Sequence, residues 1–333
     1  MTWFEQLTGF PEISPTAVRQ NLKIEGDTMT SLVNGRRWSY GRLETPSLAE
    51  LRQRVEASAK PTGRISVREV VADTRDLHAD ISNADSVFQV ASQFNLLEMV
   101  GPNTPPEDGV GIYEDDLTQG PACAIAAGAG TIYRNYFANV NGQIGQSRNN
   151  QIDCLAELGR KLGNTDNRLW EMRNGYALAT RSGLNEISTR LRSLNESQLD
   201  ELRQSLRIGL QWNTQVTVNA STHAVSQAYC SAVPVAYCSH PAHLWGSLAR
   251  LVLDAAYEAT ICAAILNMQN TGNNRVFLTL IGGGAFGNEP DWILKAIKHA
   301  FRIYEHWNLD VAIVSYGWPQ PPVQKLAEQF SHD

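Results

Sequence analysis

The segment that most constrains the fold lies near the end of the chain, where residues 275–288 read RVFLTLIGGGAFGN. A run rich in Val, Leu, Ile, Phe and Thr is typical of a buried strand. Gly282, Gly283 and Gly284 allow positive φ angles and a close approach of the backbone to a ligand. Pro290 and Asp291 then begin an amphipathic helix. The stripe predicted to be buried consists of Ile293, Ala296, Ile297, Ala300, Phe301 and Tyr304. A strand, a glycine loop and a helix N-terminus in this order predict a site for an anion such as phosphate.

Length and charge limit the classes of function. The chain has 333 residues, enough for one large α/β domain with insertions or for two modest ones. A net charge of −6 leaves no basic surface for bulk nucleic-acid binding. A small anionic ligand remains compatible with this charge, because backbone amides bind phosphate whatever the net charge is.

Cysteine usage and the N-terminus indicate a cytoplasmic protein. The five cysteines are scattered and form no C-x-x-C pair, which favours a reducing compartment. Cys123 and Cys262 lie in Ala-rich helical contexts, where a buried structural thiol is expected. The first residues lack the charged and apolar regions of a signal peptide. No apolar run approaches the roughly 20 residues that span a bilayer, so no membrane partner is expected.

The pattern of elements changes near residue 63. Residues 1–63 predict short helices at 3–7, from 16 and at 48–57, and a hairpin with its turn at Asn34-Gly35. From residue 64 onward strands and helices alternate. Strands are predicted at 65–71, 87–92, 175–180, 215–218, 229–237, from 275 and at 309–314. Helices are predicted at 121–136, 151–162, 185–206, 244–268 and from 290. This alternation predicts an α/β fold with a mostly parallel sheet covered by helices on both faces.

Three strand ends carry candidate site residues, because ligands of open α/β sheets bind outside the carboxyl ends of the strands. Asp73 follows the strand at 65–71, Asn95 and Glu98 follow the strand at 87–92, and the glycine loop follows the strand from 275. A long loop at 99–119 adds acidic residues, and loops of this length inside a domain are often functional. They are Asp108, Glu114, Asp115 and Asp116.

These segments resemble the motifs of macrodomains, the ADP-ribose-binding modules. Residues 120–130, GPACAIAAGAG, match the spacing Gly-x-x-x-Ala-Ile-x-x-x-Ala-Gly of the macrodomain helix start. Residues 90–95, VASQFN, are similar to the strand that ends in Asn-Ala-Ala-Asn. Residues 278–288 resemble the Gly-x-Gly-x-Phe-Gly-Asn loop of microbial poly(ADP-ribose) glycohydrolases. The resemblance covers roughly 64–142 and 215–318. It implies a three-layer α-β-α domain at 64–320, with a largely helical insertion at about 143–214 and an N-terminal extension at 1–63.

The resemblance also implies roles for single residues. Asp73 would accept a hydrogen bond from the adenine amine, and amides near Gly120 and in the glycine loop would bind the two phosphates. Phe286 would pack against the distal ribose, whose hydroxyls Asn95 would orient, while Asn288 closes the loop. The implied ligand-binding set is Asp73, Gln119, Gly120, Gly282, Gly283, Gly284, Ala285, Phe286, Gly287 and Asn288. The ligand is ADP-ribose or an ADP-ribosylated molecule, with no cofactor and no metal.

The catalytic carboxylate of the family is missing from its usual position. Macrodomain hydrolases of the commonest kind carry an acidic residue where this chain has Ala122, and the Gln-Glu-Glu signature of the glycohydrolases is absent beside Gln119. Glycosidic cleavage passes through an oxocarbenium-like transition state, which a nearby carboxylate stabilises. The predicted replacements are Glu98, Asp115 and Asp116, and Asn95, Glu98 and Asp116 form the candidate catalytic set. The alternatives are a non-catalytic ADP-ribose-binding module and a structural protein with a degenerate pocket.

Each candidate also has a simpler structural interpretation. Asp73 is equally suited to cap a helix, and Asn95 to form an Asx turn. Glu98 and the acidic residues at 114–116 are of a kind usually solvated in loops, and Phe286 is compatible with a core position. His240 and His243 flank a proline without further ligands at zinc spacing, which favours a structural role at the start of a helix.

Overall fold

A computed structural model describes residues 1–58 and 60–331. The strands, in chain order, are β1 (Leu22–Glu25), β2 (Thr28–Ser31), β3 (Arg37–Ser39), β4 (Arg42–Glu44), β5 (Ser66–Val71), β6 (Val87–Ala91), β7 (Asn139–Val140), β8 (Gln143–Ile144), β9 (Trp170–Arg173), β10 (Tyr176–Ala179), β11 (Gly209–Gln215), β12 (Ala224–Cys230), β13 (Arg275–Leu278) and β14 (Asp310–Ser315). The α-helices are α1 (Trp3–Thr8), α2 (Pro15–Asn21), α3 (Leu48–Ser58), α4 (Thr74–Ala79), α5 (Gln119–Ala126), α6 (Gly128–Tyr136), α7 (Ala156–Leu162), α8 (Arg181–Ser193), α9 (Glu196–Arg203), α10 (Ala242–Thr271), α11 (Pro290–Ile303) and α12 (Pro321–Ala327).

A seven-stranded mixed sheet forms the centre of the molecule, in the order β4-β11-β12-β6-β13-β14-β5. The five strands from β12 to β5 are parallel, and β11 and β4 continue the sheet antiparallel at one edge. Since parallel strands end at the same edge, the loops that follow β5, β6, β12, β13 and β14 converge there. The mostly parallel mixed sheet confirms the predicted fold class.

Helices cover both faces of this sheet and complete three layers. Helices α3, α8, α10 and α11 pack on one face, where the largest hydrophobic core lies. Helices α4, α5 and α6 lie on the other face. All but one residue of the predicted α11 stripe are below 3% exposed, and Tyr304 is 7% exposed. The amphipathic pattern of that helix is therefore confirmed.

Helix α10 corrects the expectation about apolar length. It has 30 residues and contains an 18-residue window of mean hydropathy 1.4, so by length and composition it meets the requirement for crossing a membrane. Of that window, 89% is buried inside the protein. A helix that is apolar on all sides is expected at the centre of a large core, and α10 occupies that place.

The N-terminal residues are integrated into the main sheet. Strand β4 pairs with β11, and the predicted hairpin is present as β2 and β3. Helix α3 is attached to α10 through Arg52, whose guanidinium contacts Glu258 at 2.6 Å and Asp200 at 2.7 Å. Strand β11, a member of the central sheet, begins within 143–214 and ends at Gln215. The proposed boundaries at 63 and around 143–214 therefore stay predictions, and strands from both of these regions belong to the central sheet.

Several predicted elements differ from the observed ones. The helix predicted at 121–136 is two helices, α5 and α6, because Ala127 leaves helical geometry (φ −115°, ψ 60°). Gly128 there packs so closely on Trp3 that a Cβ would lie 2.7 Å from its ring. The helix predicted at 185–206 is likewise two helices, α8 and α9, since Asn195 forms a capping box with Gln198.

Three further predictions were wrong at the boundaries. The helix at 151–162 is confined to α7, and the strand predicted at 215–218 overlaps β11 only at Gln215, where that strand ends. The strand predicted at 229–237 ends at Cys230, and a 3₁₀ turn, Val235–Tyr237, follows it. Short apolar runs do not define strand ends by periodicity alone.

Candidate functional site

A cavity of about 550 Å³ opens at the edge where the parallel strands end. Its walls come from the loops after β6, β13 and β14, from the starts of α5 and α11, and from the start of β10. A volume of this size is typical of a site for a small organic ligand. The cavity lies where the strand order predicts a ligand site.

The glycine loop between β13 and α11 presents unpaired amides on one wall. The N–H groups of Gly284, Ala285 and Phe286 donate to no acceptor in the described part of the chain. Gly282 has a φ of +75°, which a residue with a side chain adopts only with strain. Asn288 N–H donates to the Gly282 carbonyl at 2.8 Å and closes the loop. Consecutive free N–H groups in a closed turn form a site for an anion.

A buried tyrosine fixes the entrance of this loop. The Tyr257 hydroxyl, on α10, donates to the Thr279 carbonyl at 2.8 Å and accepts the Ile281 N–H at 2.9 Å. Tyr257 has no solvent exposure. Because both bonds lie directly before Gly282, the central helix positions the loop.

The start of α5 forms the facing wall. The N–H groups of Gln119 and Gly120 have no acceptor among the described residues. The Gln119 side-chain oxygen accepts the Thr74 N–H at 2.9 Å, which joins the start of α5 to the start of α4. A helix N-terminus with unpaired amides favours negative charge.

Glu98 is the buried carboxyl group of the cavity. It is 3% exposed, and its Oε1 atom has no hydrogen-bond partner in the described chain. Burial raises the pKa of the Glu98 carboxyl well above its usual value, the Arg134 guanidinium lowers it in part, and Asp116 raises it further. A carboxyl group whose pKa is raised in this way is suited to act as an acid.

The backbone at Glu98 is held by the neighbouring loop. Glu98 N–H donates to the Tyr113 hydroxyl at 3.0 Å. Arg134 Nε donates to the Leu96 carbonyl at 3.2 Å, and its guanidinium carbon lies 3.6 Å from the ring centroid of Tyr229. These contacts bring a buried cation close to the Glu98 carboxyl.

Three aromatic rings line the end of the cavity near Glu98. The centroid of Tyr176 lies 4.9 Å from that of Tyr237 and 5.2 Å from that of Phe286. The Tyr176 hydroxyl donates to the Met99 carbonyl at 2.8 Å, so this ring is fixed. Phe286 is half-buried in this cluster and also lines the cavity. It therefore packs against the other two rings and is placed to contact a ligand as well.

Tyr316 and Asp73 lie toward the other end. Tyr316 follows β14, lines the cavity and is 58% exposed. Asp73 follows the neighbouring β5, and the Ala72 N–H donates to the Ser315 carbonyl at 3.1 Å. Asp73 caps α4 by accepting the Arg75 N–H at 2.8 Å, as expected for a helix-capping residue. Tyr316 and Asp73 therefore follow two paired strands at the same edge of the sheet.

The acidic loop contributes one of its carboxylates to the cavity. Asp116 is half-buried and lines the cavity, and it accepts the Thr118 N–H at 2.9 Å. Glu114 instead accepts the backbone N–H of Trp3 at 2.8 Å. Asp115 is exposed and does not line the cavity.

Most of the predicted site residues meet around this one cavity. Those that line it are Glu98, Asp116, Gln119, Gly120, Gly282, Gly283, Gly284, Ala285 and Phe286. Asp73, Gly287 and Asn288 adjoin it without lining it. Asn95 is buried away from it, where its side chain donates to Gln151 at 2.9 Å and accepts the Leu97 N–H at 3.1 Å. The Asx-turn interpretation of Asn95 therefore fits, and the geometry does not support its proposed contact with the ribose.

Sequence reasoning missed Tyr176, Tyr237 and Tyr316 as cavity residues. Tyr176 lies in a hairpin within 143–214, and Tyr237 lies in the segment assigned to a strand. No spacing signal marks either of them. An exposed aromatic residue directly after the last buried strand is the one available signal for Tyr316.

The cavity lining contains no Lys, Arg or His among the described residues. Its ionisable carboxyl groups are Glu98 and Asp116. An anionic ligand would consequently be held by backbone N–H groups and helix ends, not by side-chain cations.

No protein-family model and no curated protein matches the chain. Among solved structures, the chain is similar to the poly(ADP-ribose) glycohydrolase of Deinococcus radiodurans in complex with ADP-ribose, at 12% identity and a TM-score of 0.44, over 95% of each chain. It is similar to the poly(ADP-ribose) glycohydrolase of Thermomonospora curvata at 13% identity and a TM-score of 0.43, over 94% of this chain and 95% of the other. The same enzyme bound to the inhibitor ADP-HPD gives 12% identity and a TM-score of 0.42, over the same shares.

Proposed function

We propose that the cavity binds ADP-ribose or the ADP-ribosyl group of a modified molecule, and that Glu98 is the acid that cleaves its glycosidic bond. The observation that carries this proposal is the pairing, in one cavity, of two walls of unpaired amides with the buried carboxyl group of Glu98. The motif resemblance in the sequence names the ligand class, and the cavity is large enough for it.

The order of the strands gives the ligand an orientation. The adenine would lie at the ends of β5 and β14, stacked on Tyr316 with Asp73 near its amine. The diphosphate would lie between the glycine loop and the start of α5, where the amides of both walls converge. The distal ribose would then reach the aromatic cluster of Tyr176, Tyr237 and Phe286, next to Glu98.

In the proposed cleavage the two carboxyl groups of the cavity have different roles. Glu98 donates its proton to the leaving-group atom as the bond to the anomeric carbon breaks, and the sugar passes through an oxocarbenium-like state. Asp116 stabilises that positive charge. Water attacks the anomeric carbon, and its proton returns to Glu98. The products are ADP-ribose with a hydroxyl group on its anomeric carbon and the protonated leaving group, and Glu98 is protonated again.

Calorimetry with ADP-ribose tests the binding part of the proposal. We expect saturable binding, and AMP and ribose 5-phosphate, which each fill part of the cavity, should bind more weakly. No heat at millimolar ADP-ribose would overturn the assignment of the ligand.

Release of ADP-ribose from poly(ADP-ribose) and from ADP-ribosylated protein tests the catalytic part. Loss of a general acid typically costs about 10²- to 10⁴-fold in rate, and we expect a loss in that range for Glu98→Gln with little change in ADP-ribose affinity. Asp116→Asn should reduce turnover by a smaller factor. The exposed Asp115→Asn variant is the matched control and should retain full turnover.

A non-catalytic binding module is the second candidate. It is favoured by Ala122 at the usual acidic position and by the small exposure of Glu98, 3%. Tight ADP-ribose binding without release from any ADP-ribosylated substrate would support it. A structural protein with a degenerate pocket is disfavoured, since the cavity is open and not filled by side chains.

A further inference from the structure

We infer that the first twelve residues complete the candidate site: Glu12 and Trp3 clamp the loop at 109–115, and this loop in turn positions Glu98 and Asp116. This inference rests on the proposed function for its activity readout. Glu12, Trp3 and Tyr113 are positioning residues, since none of them lines the cavity.

Glu12 holds the loop by its backbone. One oxygen of its carboxylate accepts the Val110 N–H at 2.9 Å and the Tyr136 hydroxyl at 2.6 Å, and the other accepts the Gly111 N–H at 2.7 Å. A Cβ on Gly111 would lie 2.9 Å from Glu12 Oε2, so a side chain at position 111 would displace the Glu12 carboxylate. Hydrogen bonds to a charged group are each worth about 1.5–3 kcal/mol, more than those between neutral groups.

Trp3 adds a second point of attachment. Its indole Nε1–H donates to the Val110 carbonyl at 2.9 Å, and its backbone N–H donates to the Glu114 carboxylate at 2.8 Å. The indole is 9% exposed and packs in the same hydrophobic cluster as Tyr113. Glu12 and Trp3 thus fix both polar groups of Val110 and one end of the acidic loop.

The loop at 109–115 is connected to the two carboxyl groups of the cavity in two ways. Tyr113 is fully buried, and its hydroxyl accepts the Glu98 N–H at 3.0 Å. Asp116 follows the clamped segment directly, and the chain then enters α5 at Gln119. A displacement of the loop would therefore move both carboxyl groups of the cavity, whereas the glycine loop is held separately by Tyr257.

Hydrogen–deuterium exchange on the unliganded protein tests the clamp without requiring a ligand. In Glu12→Ala, we expect the amides at 98 and 107–119 to exchange at least about tenfold faster, as for a segment that opens locally. The amides at 279–289 should exchange at the wild-type rate. Glu12→Gln, which retains one acceptor oxygen, should give a smaller increase in the same segments. This variant keeps the test valid if Glu12→Ala unfolds as a whole.

Glu44→Ala is the matched control. Glu44 is a partly buried carboxylate of the N-terminal segment that accepts Trp212 Nε1–H at 2.7 Å and pairs with Arg54 at 2.7 Å, remote from the cavity. Its loss should leave exchange at 98 and 107–119 unchanged.

The activity readout separates positioning from binding. A misplacement of a catalytic group by about 1 Å can cost about 100-fold in rate, so Glu12→Ala should lower kcat by tenfold or more while the ADP-ribose Kd stays within about threefold. Unchanged exchange at 98 and 107–119 in both Glu12 variants, or an equal increase in Glu44→Ala, would overturn the clamp. Failure of the wild-type protein to bind ADP-ribose would refute the proposed function, and the exchange rates would still decide separately whether the clamp exists.

Discussion

The carboxylate of Glu98 occupies the space into which a side chain at position 120 would project, since a Cβ built on Gly120 would lie 2.6 Å from Glu98 Oε2. The macrodomain hydrolases that the sequence resembles carry their acidic residue at the start of the corresponding helix. In this protein that position is Ala122, and Glu98 from the loop after β6 brings a carboxyl group to the start of α5. The glycine and the glutamate are thus two parts of one arrangement.

Gly120→Ala should disrupt that arrangement. The new methyl group would clash with the Ala91 carbonyl and with the Glu98 carboxylate. Overpacking of this kind costs about 1–3 kcal/mol, so we expect the free energy of unfolding in urea to fall by that amount and turnover to fall with it. Gly101→Ala is the control, because a Cβ there would meet no atom within 4 Å. Equal stabilities of the two variants would contradict the close contact at Gly120.

Glu98→Gln should change how stability depends on pH. The pKa of Glu98 is raised by burial in the folded state from an ordinary value of 4.5. The stabilising contribution of this proton is fully present below pH 4.5 and is lost as the pH rises through the raised pKa. The amide of Glu98→Gln cannot ionise. The free energy of unfolding of the variant, relative to that of the wild type, should therefore rise by up to about 1.4 kcal/mol per pH unit above pH 4.5.

Urea unfolding of both proteins between pH 4 and pH 9 measures this difference. Glu56→Gln, the same exchange on the exposed surface of α3, controls for the loss of one charge. A constant difference between Glu98→Gln and the wild type over the whole range would show that Glu98 ionises normally.

Tyr257→Phe should loosen the glycine loop without touching the ligand. The variant removes the donor to the Thr279 carbonyl and one acceptor of the Ile281 N–H. A hydrogen bond of this kind is worth about 1 kcal/mol, so ADP-ribose affinity should fall by about fivefold. Tyr304→Phe removes a hydroxyl that contacts Cys262 and Glu258 instead, and calorimetry should find its affinity unchanged.

Tyr316→Ala should weaken the ligand at the base end of the cavity. Base–aromatic stacking contributes about 1–3 kcal/mol, so ADP-ribose affinity should fall by about fivefold or more. Stability should stay unchanged because the ring is 58% exposed. Trp318→Ala, two residues further along and 71% exposed, removes a ring that does not line the cavity and should bind ADP-ribose normally. Equal affinities of the two variants would exclude a base on Tyr316.

Local chemistry made part of this site predictable. The glycine loop, its closure by Asn288 and the buried stripe of α11 each follow from short segments whose residues fix their own geometry. Parallel strands then bring their loops to one edge, which is why Glu98, Asp116 and Gly120 meet although no short motif joins them.

Other features depend on contacts between distant segments. Asn95 lies in a suggestive position along the chain, yet Gln151 and the turn at Leu97 use both ends of its side chain. The burial of Glu98 follows from packing against Gly120. Tyr176 reaches the cavity from a hairpin more than 70 residues after Met99, whose carbonyl accepts its hydroxyl. Periodicity contains no information about such pairings.

The absence of side-chain cations from the described cavity lining has a practical consequence for the design of inhibitors. Main-chain donors hydrogen-bond to the oxygen atoms of a linker whether or not the linker is charged, although the helix N-terminus adds a preference for negative charge. Replacing the diphosphate by an uncharged linker with oxygen acceptors, such as a disulfone, would forfeit the ion pairs of an arginine-lined site. At the proposed diphosphate site of this protein, the same replacement would keep the hydrogen bonds from the main-chain amides, which would still orient a membrane-permeable compound.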